Sequence, residues 1–226
     1  MKLQLLHRKC PVCNSFYGKR IGELQYTLFD DIPLDNFYNV VSCIDCGFVF
    51  YDTSKTQKEY DDFYKNYFYS PIYISKKGEY NDLKDINHIF KVLSPYIKDN
   101  NINIHDIGCG TGDLLKKLHD LKYMNLSGMD ASLLCVNILN DYGINTINSA
   151  FSDIPNILNV HEKSDIIIIS HVLEHVVDLK TVIQYINDKL KDDGLVYVEV
   201  PDASYYDNFI DFNPIRFFYV FHVNHF

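Results

Sequence analysis

Apolar residues along this chain change their period near residue 100. Beyond it, short aliphatic runs alternate with segments whose apolar positions recur every three or four residues. Strands and amphipathic helices of a parallel α/β sheet leave that pattern. Ile102–Ile107 predicts a strand that ends at a glycine-rich turn, and Leu114, Leu115, Leu118 and Leu121 mark one face of the helix after it. Leu126–Asp130 predicts the second strand, Ser132 the N-cap of the next helix and Gly143 its C′ residue. Ile144–Asn148 and Asp165–Ser170 follow as strands, the latter apolar enough to be buried on both faces. Leu179–Leu190 predicts a helix, and Gly194 leads into a fifth strand, Leu195–Val200, stopped by Pro201.

Upstream the pattern is different. Phe48–Tyr51 reads as a short strand, and Lys76–Ile97 as a helix with Leu83, Ile86, Phe90, Leu93 and Ile97 on one side. The chain divides into a cysteine-bearing module over 1–52, a helical, aromatic connector over 53–100 and an α/β core over 101–226. The connector holds Tyr60, Phe63, Tyr64, Tyr67, Phe68, Tyr69 and Tyr73, which read mainly as packing, with a ring or two available to floor a pocket.

The sharpest motif is Asp106-Ile107-Gly108-Cys109-Gly110-Thr111-Gly112. Glycines between a strand and a helix let the backbone turn tightly and approach a ligand closely, and the helix start offers unpaired N–H groups. Asp130, at the end of the second strand, is placed to accept the ribose hydroxyls of an adenosine cofactor. A dinucleotide fingerprint would need a third glycine at position 113, where Asp113 stands. The spacing G-x-G-x-G after Asp106 resembles motif I of the class I S-adenosylmethionine-dependent methyltransferases. Ser170–Asp178, with Leu173-Glu174-His175-Val176, resembles that family's segment after the fourth strand, and Lys191–Leu195 its turn before the fifth.

The resemblance implies a Rossmann-like α/β sheet with S-adenosylmethionine as cofactor. Asp106, Gly108, Gly110, Gly112 and Asp130 would hold it, the loop with Ala150, Phe151 and Asp153 would contact the adenine, and His171 would lie beside it.

Cys10-Pro11-Val12-Cys13 and Cys43-Ile44-Asp45-Cys46 form two C-x-x-C knuckles. Two such turns complete a tetrahedral zinc site, structural and closed to water. A zinc-ribbon module ahead of this core resembles the zinc-containing sugar C-methyltransferases. Tyr67–Ser70 and Tyr219–Phe226 extend the likeness: Tyr219, His222 and Phe226 fit a Y-x-E-H-x-x-Y-F motif, whereas Phe221 and His225 depart from it. The missing glutamate counts against C-methylation and leaves O- or N-methylation of a sugar or nucleotide sugar open. His175, His222 and Tyr219 are the catalytic candidates, one of the histidines taking the acceptor's proton.

With 21 Lys+Arg against 30 Asp+Glu, the net charge of −9 disfavours nucleic acid. A rival reading, an RNA-modifying enzyme gripping RNA with its zinc ribbon, draws on His7, Arg8, Lys9, Lys19 and Arg20, opposed by Glu23, Asp30, Asp31 and Asp35. A non-catalytic binding module is a second rival, which the intact glycines and Asp130 oppose. The N-terminus lacks a signal-like apolar run, and no stretch approaches the ~20 apolar residues of a membrane span, so a cytoplasmic protein is expected. Only 25 residues follow Pro201. The expectation is a truncated sheet of five parallel strands whose last strand is an uncovered edge inviting self-association.

Overall fold

The computed structural model describes residues 3–28, 32–68, 85–97, 99–157, 162–204 and 222–226. It comprises two compact units. One gathers Met1–Phe63, Leu173–Lys180 and Val200–Phe226; the other gathers Tyr64–Val172 and Thr181–Glu199.

The first unit is built on an antiparallel sheet of β1 (Leu3–Leu5), β2 (Tyr17–Gln25), β3 (Phe37–Cys43), β4 (Val49–Asp52) and β10 (Asn224–His225), in the order β1-β2-β3-β4-β10. Leu6, Val41 and Phe50 pack with Cys10 and Cys43 beneath it. Tyr38 stacks on Tyr51 at 4.9 Å, and the Tyr26 and Tyr51 hydroxyls meet at 2.7 Å. Burial pushes the Tyr60 hydroxyl up to about 12, and it donates to the Tyr38 hydroxyl.

The buried carboxylate of Asp52 fixes the N-terminal segment, accepting from the His7 and Arg8 amides at 2.7 and 3.3 Å and from the Gln4 side chain at 3.1 Å. Helix α1 (Gln57–Phe63) starts from a capping box, in which the Thr56 amide donates to Glu59 at 2.8 Å and the Glu59 amide to Thr56 Oγ1 at 3.4 Å.

The second unit carries β5 (Ile104–Ile107), β6 (Leu126–Asp130), β7 (Asn145–Asn148), β8 (Ser164–Ser170) and β9 (Leu190–Glu199), all parallel, in the order β7-β6-β5-β8-β9. Strand order reverses at β5, with β6 and β7 on one side and β8 and β9 on the other, and open parallel sheets bind ligands at the carboxyl ends of the strands beside such a point. Helices α2 (Ile86–Leu93), α3 (Asp113–Asp120), α4 (Leu133–Asp141), α5 (Ile154–Ile157) and α6 (Leu179–Lys189) accompany the sheet. Leu93, Leu115, Leu118, Leu139, Ile166 and Ile168 belong to its core.

The expected five parallel strands are present, with β6 falling on the predicted residues. Ser132 caps α4, its hydroxyl accepting from the Cys135 amide, and Gly143 follows the helix at φ 85°. Three expectations need correction. Leu121 is exposed because α3 stops at Asp120. Gly194 lies inside the fifth strand, which starts at Leu190; a register shift between Ser164 and Ile166 absorbs the extra residues. The expected Lys76–Ile97 helix is described only from Asp85, whose side chain caps Ile86–Leu93 by accepting from the Asn87 and His88 amides; its earlier part lies outside the described residues. Among the described residues β9 pairs only with β8, and Leu195, Val196 and Val198 along it are exposed.

His225 offers a test of the first unit's packing. Burial, and next the charge of Arg8, lower its pKa from the ordinary 6.5 to about 4. The unfolded chain therefore binds more protons between these values, and stability present above 6.5 is lost as pH falls toward 4. The contribution is on the order of 3 kcal/mol. Urea unfolding at several pH values should show this acid-side loss, and His225→Gln should flatten it.

Candidate functional site

The turn between β5 and α3 owes its shape to backbone that only glycine takes readily. Gly108, Gly110 and Gly112 all lie in the left-handed region, at φ 68°, 55° and 73°. A side chain at Gly108 would come 2.5 Å from Val172 Cγ2, and one at Gly112 would collide with Leu139. The Gly108 and Cys109 amides donate to the Met129 carbonyl at 2.8 and 3.1 Å, tying the turn to β6. Cys109 is a small buried residue beside Gly128, where an added Cβ would meet its sulfur.

Asp130 holds the turn from the side. One carboxylate oxygen accepts from the Gly110 amide at 2.8 Å, the other from the Ser132 amide at 2.8 Å. Its carbonyl accepts from the Ser149 amide at 3.1 Å, which brings in the loop after β7. That loop runs through buried Ala150 into a 3-10 turn, Phe151–Asp153, whose Asp153 carboxylate is 3.7 Å from the Lys65 ammonium. Asp106 is buried in β5, just ahead of the turn. The structure thus gathers Asp106, the three glycines, Asp130 and Ala150 at the carboxyl ends of β5, β6 and β7.

His171 stands at the end of β8 in the left-handed region, φ 53°, a strained conformation for a residue with a Cβ. Its amide donates to the Glu199 carbonyl at 2.9 Å, and its Nε2 lies 3.8 Å from the Glu199 carboxylate. Ser170 Oγ donates to the same carboxylate at 2.7 Å. Sequence reasoning missed Glu199; its place at the end of the last strand, opposite His171, was the available signal.

Within the first unit, Glu174 and His175 lie in a 3-10 turn, Leu173–His175. His175 Nε2 is 3.8 Å from the Glu174 carboxylate, and the His175 and His222 rings lie 4.8 Å apart at 66°. The turn is fixed from two directions. Asn224 Nδ2 donates to the Leu173 and Val176 carbonyls at 2.8 and 2.6 Å, and Gln57 Oε1 accepts from the Val177 amide at 2.7 Å. Arg8 Nη2 in turn donates to Asn224 Oδ1 at 2.6 Å. Two of the catalytic candidates, His175 and His222, are therefore neighbours, with Glu174 as a partner that sequence reasoning passed over. Tyr219 lies outside the described residues.

The four cysteines converge. Cys10 Sγ is 3.6 Å from Cys46 Sγ and Cys13 Sγ 3.4 Å from Cys43 Sγ, all four sulfurs lying within 4.8 Å of one another. A tetrahedral zinc at ~2.3 Å from each sulfur would separate them by roughly 3.8 Å, so the set fits that ion. The knuckles share one geometry: the Asn14 amide donates to the Cys10 carbonyl at 2.9 Å and the Gly47 amide to the Cys43 carbonyl at 3.0 Å, with Asn14 and Gly47 at φ 63° and 78°. Burial opposes ionisation of Cys43, but the Cys46 and Asp45 amides and the neighbouring thiols bring it down to about 7. Burial and the adjacent sulfurs push Cys46 up to about 12.

Comparison with known proteins places this geometry. The model of a family described as a methyltransferase domain matches residues 79–226. No curated protein matches the chain. Among solved structures, the plantazolicin methyltransferase BpumL, in complex with a pentazolic desmethylPZN analog and SAH, superposes with a TM-score of 0.55 at 18% identity, over 74% of this chain and 70% of that one. The plantazolicin methyltransferase BamL, in complex with a triazolic analog and SAH, gives 0.55 at 19% over 74% and 67%. A second BpumL structure with SAH gives 0.53 at 20%, over 69% of this chain and 64% of that one. The likeness is one of fold, spanning about two thirds of those chains.

Proposed function

This chain belongs to the methyltransferase-domain family and is an S-adenosylmethionine-dependent methyltransferase, and we propose that it methylates a small-molecule acceptor of the sugar or nucleotide-sugar class, on carbon, oxygen or nitrogen, the departures from the C-methylation motif weighing against carbon. The observation that carries the cofactor reading is the pair of amide contacts through which Asp130 holds the glycine turn at the carboxyl ends of β5 and β6. When bound, S-adenosylmethionine supplies an electrophilic sulfonium methyl. The glycines of the turn would let backbone approach it, Asp106 would hold its amino group directly or through water, and Asp130 would hold its ribose hydroxyls. Ala150, Phe151 and Asp153 would contact the adenine, and His171, beside Glu199, would be a neighbour of the cofactor. Most of the acceleration comes from holding acceptor and methyl in line. The acceptor's proton goes to the cluster of His175 and His222, with Tyr219 assisting.

The acceptor class rests on the sequence resemblance to sugar methyltransferases. RNA is disfavoured by the net charge, and several of the basic residues near the cysteines are engaged within the unit. Arg20 pairs with Glu23, the Arg8 guanidinium stacks on Phe50 and bonds Asn224, and the Lys9 ammonium sits over Phe16. Zinc in the site of Cys10, Cys13, Cys43 and Cys46 is assigned a structural role, since four sulfurs leave no position for water.

Release of S-adenosylhomocysteine across a panel of nucleotide sugars, with RNA as control, tests the acceptor. Turnover of a sugar and none of RNA is expected; turnover of RNA alone overturns the reading. Asp130→Asn should weaken cofactor affinity by roughly 1.5–3 kcal/mol, the range for charged hydrogen bonds, in calorimetry. Metal analysis should find zinc in the purified protein, and Cys43→Ser should lose it together with thermal stability.

A further inference from the structure

We propose that Glu174, His175 and His222 form a second metal site, separate from the four cysteines, that takes a divalent first-row cation through two imidazoles and a carboxylate. One ligand atom from each of the three lies within 4.8 Å of the others. The His175 Nε2 to Glu174 separation of 3.8 Å is close to the spacing of two ligands each at roughly 2.0–2.2 Å from one ion, and a small side-chain rotation closes the remainder. The His175 and His222 rings are neighbours, their centroids 4.8 Å apart.

Glu174 is 1% exposed and His222 4% exposed.

The scaffold around the ligands resembles the supporting layer of a metal centre, whose ligands need fixed backbones. Asn224, itself buttressed by Arg8, ties down the carbonyls on either side of Glu174 and His175, at Leu173 and Val176. Gln57 holds the amides of Val177 and Asp178 at 2.7 and 3.2 Å. Next to His222, the Val223 carbonyl accepts from the Tyr51 amide at 3.0 Å, anchoring that ligand to β4. The two metal sites differ in chemistry. Four thiolates select a soft ion such as zinc, whereas a nitrogen and oxygen set also accepts Mn²⁺, Fe²⁺ or Co²⁺.

Three protein ligands leave coordination positions open; with the ion in place an acceptor hydroxyl bound there would release its proton to solvent, and the imidazoles would take it directly only in the ion-free protein. That use of the ion rests on the proposed function; the site itself does not.

The test titrates Mn²⁺ into the full chain with its cysteine site filled by zinc, reading free Mn²⁺ by electron paramagnetic resonance. One equivalent per chain should bind, with nitrogen hyperfine coupling from imidazole. Glu174→Gln and His222→Asn should each weaken binding at least tenfold while zinc content and circular dichroism stay unchanged. If the variants lose zinc or unfold, the nitrogen coupling in the wild-type protein decides alone. No bound Mn²⁺, or bound Mn²⁺ without nitrogen coupling, overturns the site. Bound Mn²⁺ with turnover unaffected by its removal leaves the site standing and overturns its role toward the acceptor.

Discussion

The carboxylate of Asp130 is the constraint on which the second unit's site depends. It joins the glycine turn, through the Gly110 amide, to the start of α4, through the Ser132 amide, while the backbone carbonyl of the same residue accepts from Ser149 in the loop after β7. Each charged hydrogen bond of this kind contributes about 1.5–3 kcal/mol. They act on backbone that would otherwise be free to relax, because glycines at positive φ have little conformational preference of their own.

The first unit solves a different problem. Its sheet is short-stranded, and its last strand arrives from the far end of the sequence, as β10 pairs with β4 through Asn224 and His225. Buried polar groups do much of the joining. Asp52 gathers the N-terminal segment, while Arg8, its pKa lowered to about 10 chiefly by burial, reaches Asn224. Asn224 continues the chain of contacts to the turn holding Glu174 and His175. Such networks specify one arrangement only when their members are satisfied. The histidines of this unit are therefore placed by polar contacts more than by hydrophobic packing.

This contrast explains what could be read from the sequence. In the second unit the informative signals are local: β6 spans Leu126–Asp130 as the apolar pattern requires, Ser132 caps α4, and the three glycines announce left-handed backbone. The paired C-x-x-C turns are local as well, each a short turn closed on its own carbonyl. Hidden features depend on partners far along the chain. Nothing near Gly194 signals that β9 begins at Leu190, since the register shift is set by its neighbour β8. Glu199 acquires meaning only opposite His171, and Glu174 only beside His222, 48 positions later. Gln57 looks like a surface helix residue until its side chain is seen capping the amides of Val177 and Asp178.

The choice of cofactor follows from where negative charge already sits. In dinucleotide-binding folds the N-terminus of the helix after the glycine turn faces a pyrophosphate. Here the first turn of α3 carries Asp113, with the Lys116 ammonium 3.8 Å away and Thr111 Oγ1 at 3.4 Å, so the helix dipole is matched by the chain's own carboxylate. A phosphate in that place would meet a like charge. Asp106 and Asp130 add two more carboxylates on the strands that flank the turn, both buried. A site lined this way repels anions and favours a ligand with cationic groups and hydroxyls. The sulfonium and amino groups of S-adenosylmethionine, with its uncharged ribose, have that character, and a nicotinamide dinucleotide does not.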